Sequence, residues 1–174
     1  MPIAGGLDTT EMKLSTYSKF PISKLFLGIK FCSKYNWLPL DILTRSRVSL
    51  HGIISFGSYK GTIIPRDDWK KLVPNASLQK NCNMQGFNVN PQPKHGATIP
   101  ARARIGIVSN NENDCKSPDS FFGFGTHCGI KDISVGNEAR RNCFADNGDI
   151  SAAAWATFSL SNPYNAGALG RNYL

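Results

Sequence analysis

The chain has 174 residues, 41% apolar and 18% charged, with a formal net charge of +8 at pH 7. That length holds one domain and buries a core of its own, so no metal is needed to fold it. No apolar run reaches the ~18 residues of a membrane-spanning helix. Gly (16) and Pro (10) are frequent enough to favour short strands and turns over a helical bundle.

Residues 1–21 are polar, rich in Thr, Ser and Lys, and lack periodicity. They read as a disordered arm or linker. No apolar core of about 7–15 residues follows a basic start, so they are not a signal peptide. A single domain is expected over 22–160. Leu25 to Phe31 is a compact apolar run of strand length, and Trp37-Leu38-Pro39-Leu40 is a second, where Pro39 argues for an edge or a bulge. Ser33 to Asn36 is expected to be the hairpin loop between them.

Asp41 to Arg47 carries no clear pattern, and Leu50 to Tyr59 fits either a strand or a short helical turn. Gly57 to Gly61 reads as a loop, followed by a short strand at Thr62-Ile63-Ile64. One helix is expected near 65–73. Pro65 suits its first turn, Asp67 and Asp68 its positive end and Lys70 and Lys71 its negative end. Trp69, Leu72 and Val73 would face the core, and Pro74 stops it.

Ser77 to Cys82 is expected to be a strand leading into Gly86 to Val89, and Pro91 to Pro100 a loop. Ala101 to Val108 alternates, with Arg102 and Arg104 outward and Ala103, Ile105 and Val108 inward. Ile107 joins the inward set if Gly106 marks a bulge. Ala152 to Leu160 is expected as the last strand, and 161–174 as a flexible tail rich in Gly and Asn. The expected fold class is mainly β, an antiparallel β-sandwich of jelly-roll-like kind.

Charge is uneven: residues 1–104 hold 15 Lys and Arg against 5 Asp and Glu, whereas 105–174 hold 5 against 7. A basic half could meet an anionic partner such as a sulfated glycan or a nucleic acid, but no basic run exceeds two residues, which disfavours nucleic acid. The five cysteines, Cys32, Cys82, Cys115, Cys128 and Cys143, form no C-x-x-C pair. Cys82, Cys115, Cys128 and Cys143 are candidates for disulfides that staple loops in an oxidising compartment, with Asn75-Ala76-Ser77 as a glycosylation acceptor at Asn75. The alternative is a set of inert thiols within the cell.

The three histidines, His51, His95 and His127, lie in no nucleophile motif, and there is no G-x-S-x-G and no phosphate loop. A zinc site from Cys115, His127, Cys128 and Cys143 has spacings that match no known pattern. The acids and amides after Val108 are denser. Asn111, Glu112, Asp114, Asp119, Asn137, Glu138, Asp146, Asn147 and Asp149 fall in expected loops and are the candidate ligand residues. Glu138, Asp146 and Asp149 could hold calcium, and the set could hydrogen-bond sugar hydroxyls, with Trp155 or Phe124 offering a ring face. The competing reading is that these are turn formers that cap their own backbone.

Arg102-x-Arg104-Ile105-Gly106-Ile107-Val108-Ser109-Asn110-Asn111-Glu112-Asn113-Asp114-Cys115, Gly123-Phe124-Gly125, Gly136-Asn137-Glu138-Ala139 and Asp146-Asn147-Gly148-Asp149 together carry a family resemblance. So do Leu25 to Lys30, Trp37-Leu38-Pro39 and Leu78 to Asn88. Over about residues 22–160 the chain resembles an uncharacterised domain family of predicted extracellular proteins from cnidarians and other marine invertebrates. The resemblance implies a small, secreted, cysteine-containing domain and brings no established activity. The chain departs from the family at Val135, where a cysteine often stands, and at Trp155-Ala156-Thr157-Phe158, where an aromatic-Gly-Tyr strand is usual. The expected function is a non-enzymatic extracellular recognition module for a glycan or an extracellular protein, its signal peptide absent from this chain. A structural or matrix protein and a hydrolase are the alternatives.

Overall fold

The computed structural model describes residues 15–31, 34–42, 48–91, 100–128, 131–139, 155–162 and 165–173. The elements run α1 (Thr16–Lys19), β1 (Lys24–Phe31), β2 (Lys34–Asp41), α2 (Leu50–Ile54), β3 (Lys60–Gly61), α3 (Arg66–Lys70), β4 (Asn81–Val89), β5 (Arg102–Asn110), β6 (Ser120–Cys128), β7 (Lys131–Ala139), β8 (Trp155–Asn162) and β9 (Asn165–Tyr173). The protein is mainly β, built of two antiparallel sheets. One has the order β2-β1-β8-β9, the other is the meander β3-β4-β5-β6-β7. Sequence neighbours lie side by side in both, save where β1 pairs with β8.

Alternation on the strands sets the core. Leu25, Leu27 and Ile29 of β1 and Leu38 and Leu40 of β2 point inward, and they meet Phe87, Ile105, Ile107, Phe122 and Phe124 from the second sheet. The short helices and the segment after α3 plug this core with Leu50, Ile53, Ile54, Trp69, Leu72, Val73 and Leu78. Neither helix stands alone at five residues, and packing holds both. Ser49 caps α2 by accepting the Gly52 amide at 3.2 Å. Pro65 precedes the first turn of α3, and Asp67 and Asp68 sit in that turn as expected. Gln85 satisfies what this packing buries: its Oε1 accepts the Trp69 indole N–H at 2.7 Å and the Thr62 hydroxyl at 3.0 Å, while its Nε2 donates to the Ile64 carbonyl.

Several expectations are corrected. Lys34 to Asn36 belong to β2, in register with β1 from Phe31↔Lys34 to Lys24↔Asp41, so no loop of four residues separates the strands. β2 is an edge strand, which suits Pro39. Thr62 to Ile64 is not a strand, and β3 is Lys60–Gly61 instead. The Gln85 side chain takes the Thr62 hydroxyl and the Ile64 carbonyl, leaving Ile63 86% exposed. Ser77 to Lys80 are buried or flanking residues outside any strand, and β4 begins at Asn81.

Gly106 makes no bulge. Ile105 and Ile107 belong to the main core, whereas Ala103 and Val108 fall in a second cluster with Val89, Ala101 and Phe121, Met84 packing against it. The extra residue sits on the partner strand, between Asn81 and Met84, where Cys82 and Asn83 have φ of 67° and 54°. The expected arm contributes α1 at its end, and Tyr17 packs edge-on to His51 of α2 at 5.5 Å. The expected tail carries β9, paired with β8. Residues 43–47 and 92–99 lie outside the described residues, and with them most of the expected loop from Pro91 to Pro100.

The meander is threaded by one row of glycines. Gly61 pairs with Gly86, Gly86 with Gly106, Gly106 with Gly123, and Gly123 with Gly136, one per strand across all five. A Cβ on Gly106 would stand 2.3 Å from the Phe122 carbonyl oxygen, and one on Gly86 2.1 Å from that of Lys60. Both obstacles are backbone, so the strands approach there more closely than any side chain permits. Gly106→Ala is expected to lower stability by about 2–3 kcal/mol in urea titration. At Gly61 the nearest atom is the movable Tyr59 hydroxyl at 3.0 Å. Gly61→Ala should therefore cost less than about 1 kcal/mol, and equal midpoints for the two variants would contradict this.

Candidate functional site

The acid-rich loop between β5 and β6 is tied down rather than open. The Asp114 carboxylate accepts the Lys116 amide at 2.9 Å, and Asn110 donates to the Asp114 carbonyl at 2.8 Å. Asn81 reaches across from β4 to the Asn111 carbonyl at 2.5 Å. These are turn-forming contacts, of the kind Asn and Asp make with nearby backbone. Asn111 and Glu112 are exposed at the tip, and Asp119 is half-buried, its amide donating to Ser109. Asn137 and Glu138 lie on β7, paired with Phe122 and Phe121. Asp146, Asn147 and Asp149 lie outside the described residues, as does the rest of the calcium set apart from the backbone of Glu138. Among the described residues no group of three His, Cys, Asp or Glu is placed to hold a metal ion.

The loop is also stapled. Cys82, in the β4 bulge, is bonded to Cys115, with Cα atoms 5.0 Å apart and 33 positions between them in sequence. Cys115 is therefore not available to the zinc set considered above. Cys32, Cys143 and the Cys128 side chain lie outside the described residues. No helix among the described residues is long and apolar enough to cross a membrane. Asn75 is exposed in a left-handed turn with φ of 61°, after α3.

Of the two rings singled out as sugar faces, Phe124 is wholly buried in the core and is corrected. Its neighbours Gly123 and Gly125 face out and leave it on the inner side. A different aromatic surface is open. On the outer face of the first sheet Tyr35 and Trp37, 45% and 44% exposed, stand one above the other with ring centroids 5.9 Å apart and planes 19° from parallel. The Trp37 indole lies on its cross-strand partner Gly28, whose Cβ, if present, would be 2.3 Å from the ring. Lys30 sits 5.6 Å from the centre of the Tyr35 ring. Trp155 on β8 is the cross-strand partner of Lys30. Tyr35, Trp37 and Pro39 alternate in the sequence, but assigning Tyr35 to a loop hid the stripe.

Beside the end of α2 the second sheet has a groove of about 510 Å³, lined by Asn88 and Asn90, Arg102 and Arg104, and Gly125, Thr126 and His127. A second depression of about 450 Å³ adjoins it through Gly57, Asn88 and Asn90 and reaches Tyr59, Cys115 and Lys116. Burial pushes the Tyr59 phenol above its usual range, against a hydrogen bond to the Gln85 carbonyl, so it stays uncharged near neutrality. His51 and His127 lie on separate elements, α2 and β6, and His95 lies outside the described residues.

Compared with known proteins, the chain matches no family model, no curated protein and no solved structure.

Removing the staple by Cys115→Ser is expected to cost about 3–4 kcal/mol, from the freedom returned to the unfolded loop. Denaturant midpoints of the variant, and of the wild-type chain before and after reduction, check this; coincident curves would mean that the hydrogen bonds alone hold the loop.

Proposed function

We propose that the chain is a non-enzymatic, extracellular recognition module that binds carbohydrate on the outer face of its first sheet. The observation that carries the reading is the exposed, nearly parallel pair Tyr35 and Trp37. A sugar ring presents C–H bonds on one face, which pack on flat aromatic surfaces. Tyr and Trp offer such area with few rotatable bonds to freeze. Gly28 supports the reading, because its bare backbone keeps the indole flat against the sheet. Lys30 adds a donor beside the shelf. The Cys82–Cys115 bond supports the extracellular half, since disulfides persist in oxidising compartments. The likeness to extracellular cnidarian domains belongs to the same proposal, as do a glycan on Asn75 and a calcium ion at Glu138, Asp146 and Asp149. The tied-down geometry of Asp114 favours turn chemistry for the β5–β6 loop over direct ligand contact.

The competing reading makes Trp37 only a cover for Gly28, a cross-strand aromatic–glycine pair that protects the sheet edge. The two readings separate experimentally. On a glycan array and by isothermal titration with the best ligand, Tyr35→Ala is expected to weaken binding about tenfold or more, equivalent to ~1.4 kcal/mol. Its melting temperature should barely move, as Tyr35 is half exposed at the strand edge. Trp37→Ala should lose binding too, together with about 1 kcal/mol of stability from the uncovered glycine. No array signal, or a Tyr35→Ala chain that binds as well as wild type, would overturn the proposal. Calcium that raises the melting temperature and is competed by a chelator would support the ion site, and an unchanged melt would remove it.

A further inference from the structure

The groove on the second sheet is a separate feature with chemistry of its own. Arg102 and Arg104 project from β5 into it, and Lys116 stands at the far end of the adjoining depression. No Asp or Glu is among the described residues that line either depression. The described ion pairs are Lys24–Asp41 and Lys71–Asp68, on other surfaces, so neither arginine is neutralised by a described carboxylate. Three cations with no acid among the described lining residues make the trough positive, with Asp132 of β7 beside His127 at its rim, and its walls focus that field.

Arg104 is also oriented. Its Nη1 donates to Asn88 Oδ1 at 2.9 Å and to the Ile54 carbonyl at 3.3 Å. Asn88 is itself held, its amide nitrogen donating to the carbonyls of Ser58 at 3.0 Å and Ile53 at 3.4 Å. The pair closes the end of α2 through the Ile53 and Ile54 carbonyls of its last turn. A guanidinium has five N–H donors, so this arrangement leaves the Nη2 and Nε hydrogens, the fork that grips two oxygens of one anion. Gly125 makes room: a Cβ there would stand 3.0 Å from the Arg104 Cβ.

We infer that this groove binds the sulfate esters of a polyanionic glycan, with Arg104 and Arg102 as the anion contacts and Lys116 as an outlying charge. The carbohydrate half of the inference rests on the function proposed above; the anion half stands on the groove itself. A nucleic acid would offer similar charge. It is disfavoured because Tyr59 and His127 are the described lining rings that could stack a base and they lie in different depressions, and because the Cys82–Cys115 bond forms the groove's edge.

The test uses the full oxidised chain and isothermal titration with three probes. They are a heparin-derived oligosaccharide, its chemically desulfated counterpart and a single-stranded oligothymidylate of similar length. The sulfated probe is expected to bind, with affinity falling as salt rises, and the desulfated one about tenfold or more weaker. Arg104→Gln also unties α2 and could unfold the chain, so Arg102→Gln carries the decision. It should weaken the sulfated probe by about tenfold with an unchanged melt, while Lys71→Gln, the same loss of charge on another surface, leaves that affinity intact. Equal binding of the sulfated and desulfated probes, full affinity in Arg102→Gln, or tighter binding of oligothymidylate would each overturn the inference. If Trp37→Ala alone abolished binding of the sulfated probe, the groove would be excluded and the aromatic shelf would stand.

Discussion

The second sheet depends on how closely its strands approach at one line. Gly61, Gly86, Gly106, Gly123 and Gly136 occupy a single register row across five strands. At Gly86, Gly106 and Gly123 a Cβ would collide with the neighbouring backbone at 2.1–2.4 Å. A side chain on this row would force the strands apart, and the hydrogen-bonded ladder with them. Glycine rows of this kind let a sheet coil sharply, as ideal pleated strands do not. The row also runs across the second apolar cluster. To one side lie its Met84, Val108 and Phe121, and to the other its Val89, Ala101 and Ala103. On that other side begin Asn88, Arg104 and Gly125, which line the cationic groove.

The first sheet uses glycine differently. Gly28 faces out and is covered by Trp37, so absence of a side chain creates a seat for a ring rather than a close strand pair. Inner and outer faces thus have separate tasks. The inner faces of both sheets build one core with α2 and α3, and Gln85 satisfies the buried Trp69 indole within it. The outer face of the first sheet presents an aromatic shelf, since alternation releases every second residue there from packing. The positive groove opens beside the end of α2.

Much of the architecture was legible from local chemistry. The run Leu25 to Phe31, the strand after Ala101 and the start of α3 at Pro65 each follow from neighbours in sequence. The capping acids Asp67 and Asp68 and the inward Trp69 were readable for the same reason. What escaped depends on contacts distant in sequence. Thr62 to Ile64 has strand-like residues but is held by Gln85, about twenty positions away. The glycine row exists only in register, and the Cys82 bulge only against β5. The candidate site was legible as a dense acid and amide region, yet the described contacts of Asp114 and Asn110 explain those residues as loop structure. The aromatic shelf was hidden by reading Tyr35 as loop, and the groove by charges scattered along the chain that the sheet gathers.

The central claim is that the outer face of the first sheet recognises carbohydrate. Backbone and indole NMR of the labelled chain during titration with its preferred neutral glycan tests this most directly. The account predicts shift changes confined to the Trp37 indole, Tyr35, Lys30 and Gly28, with Trp69 unaffected in the core. Changes centred on the loop from Asn111 to Asp119, or none at saturating glycan, would contradict it.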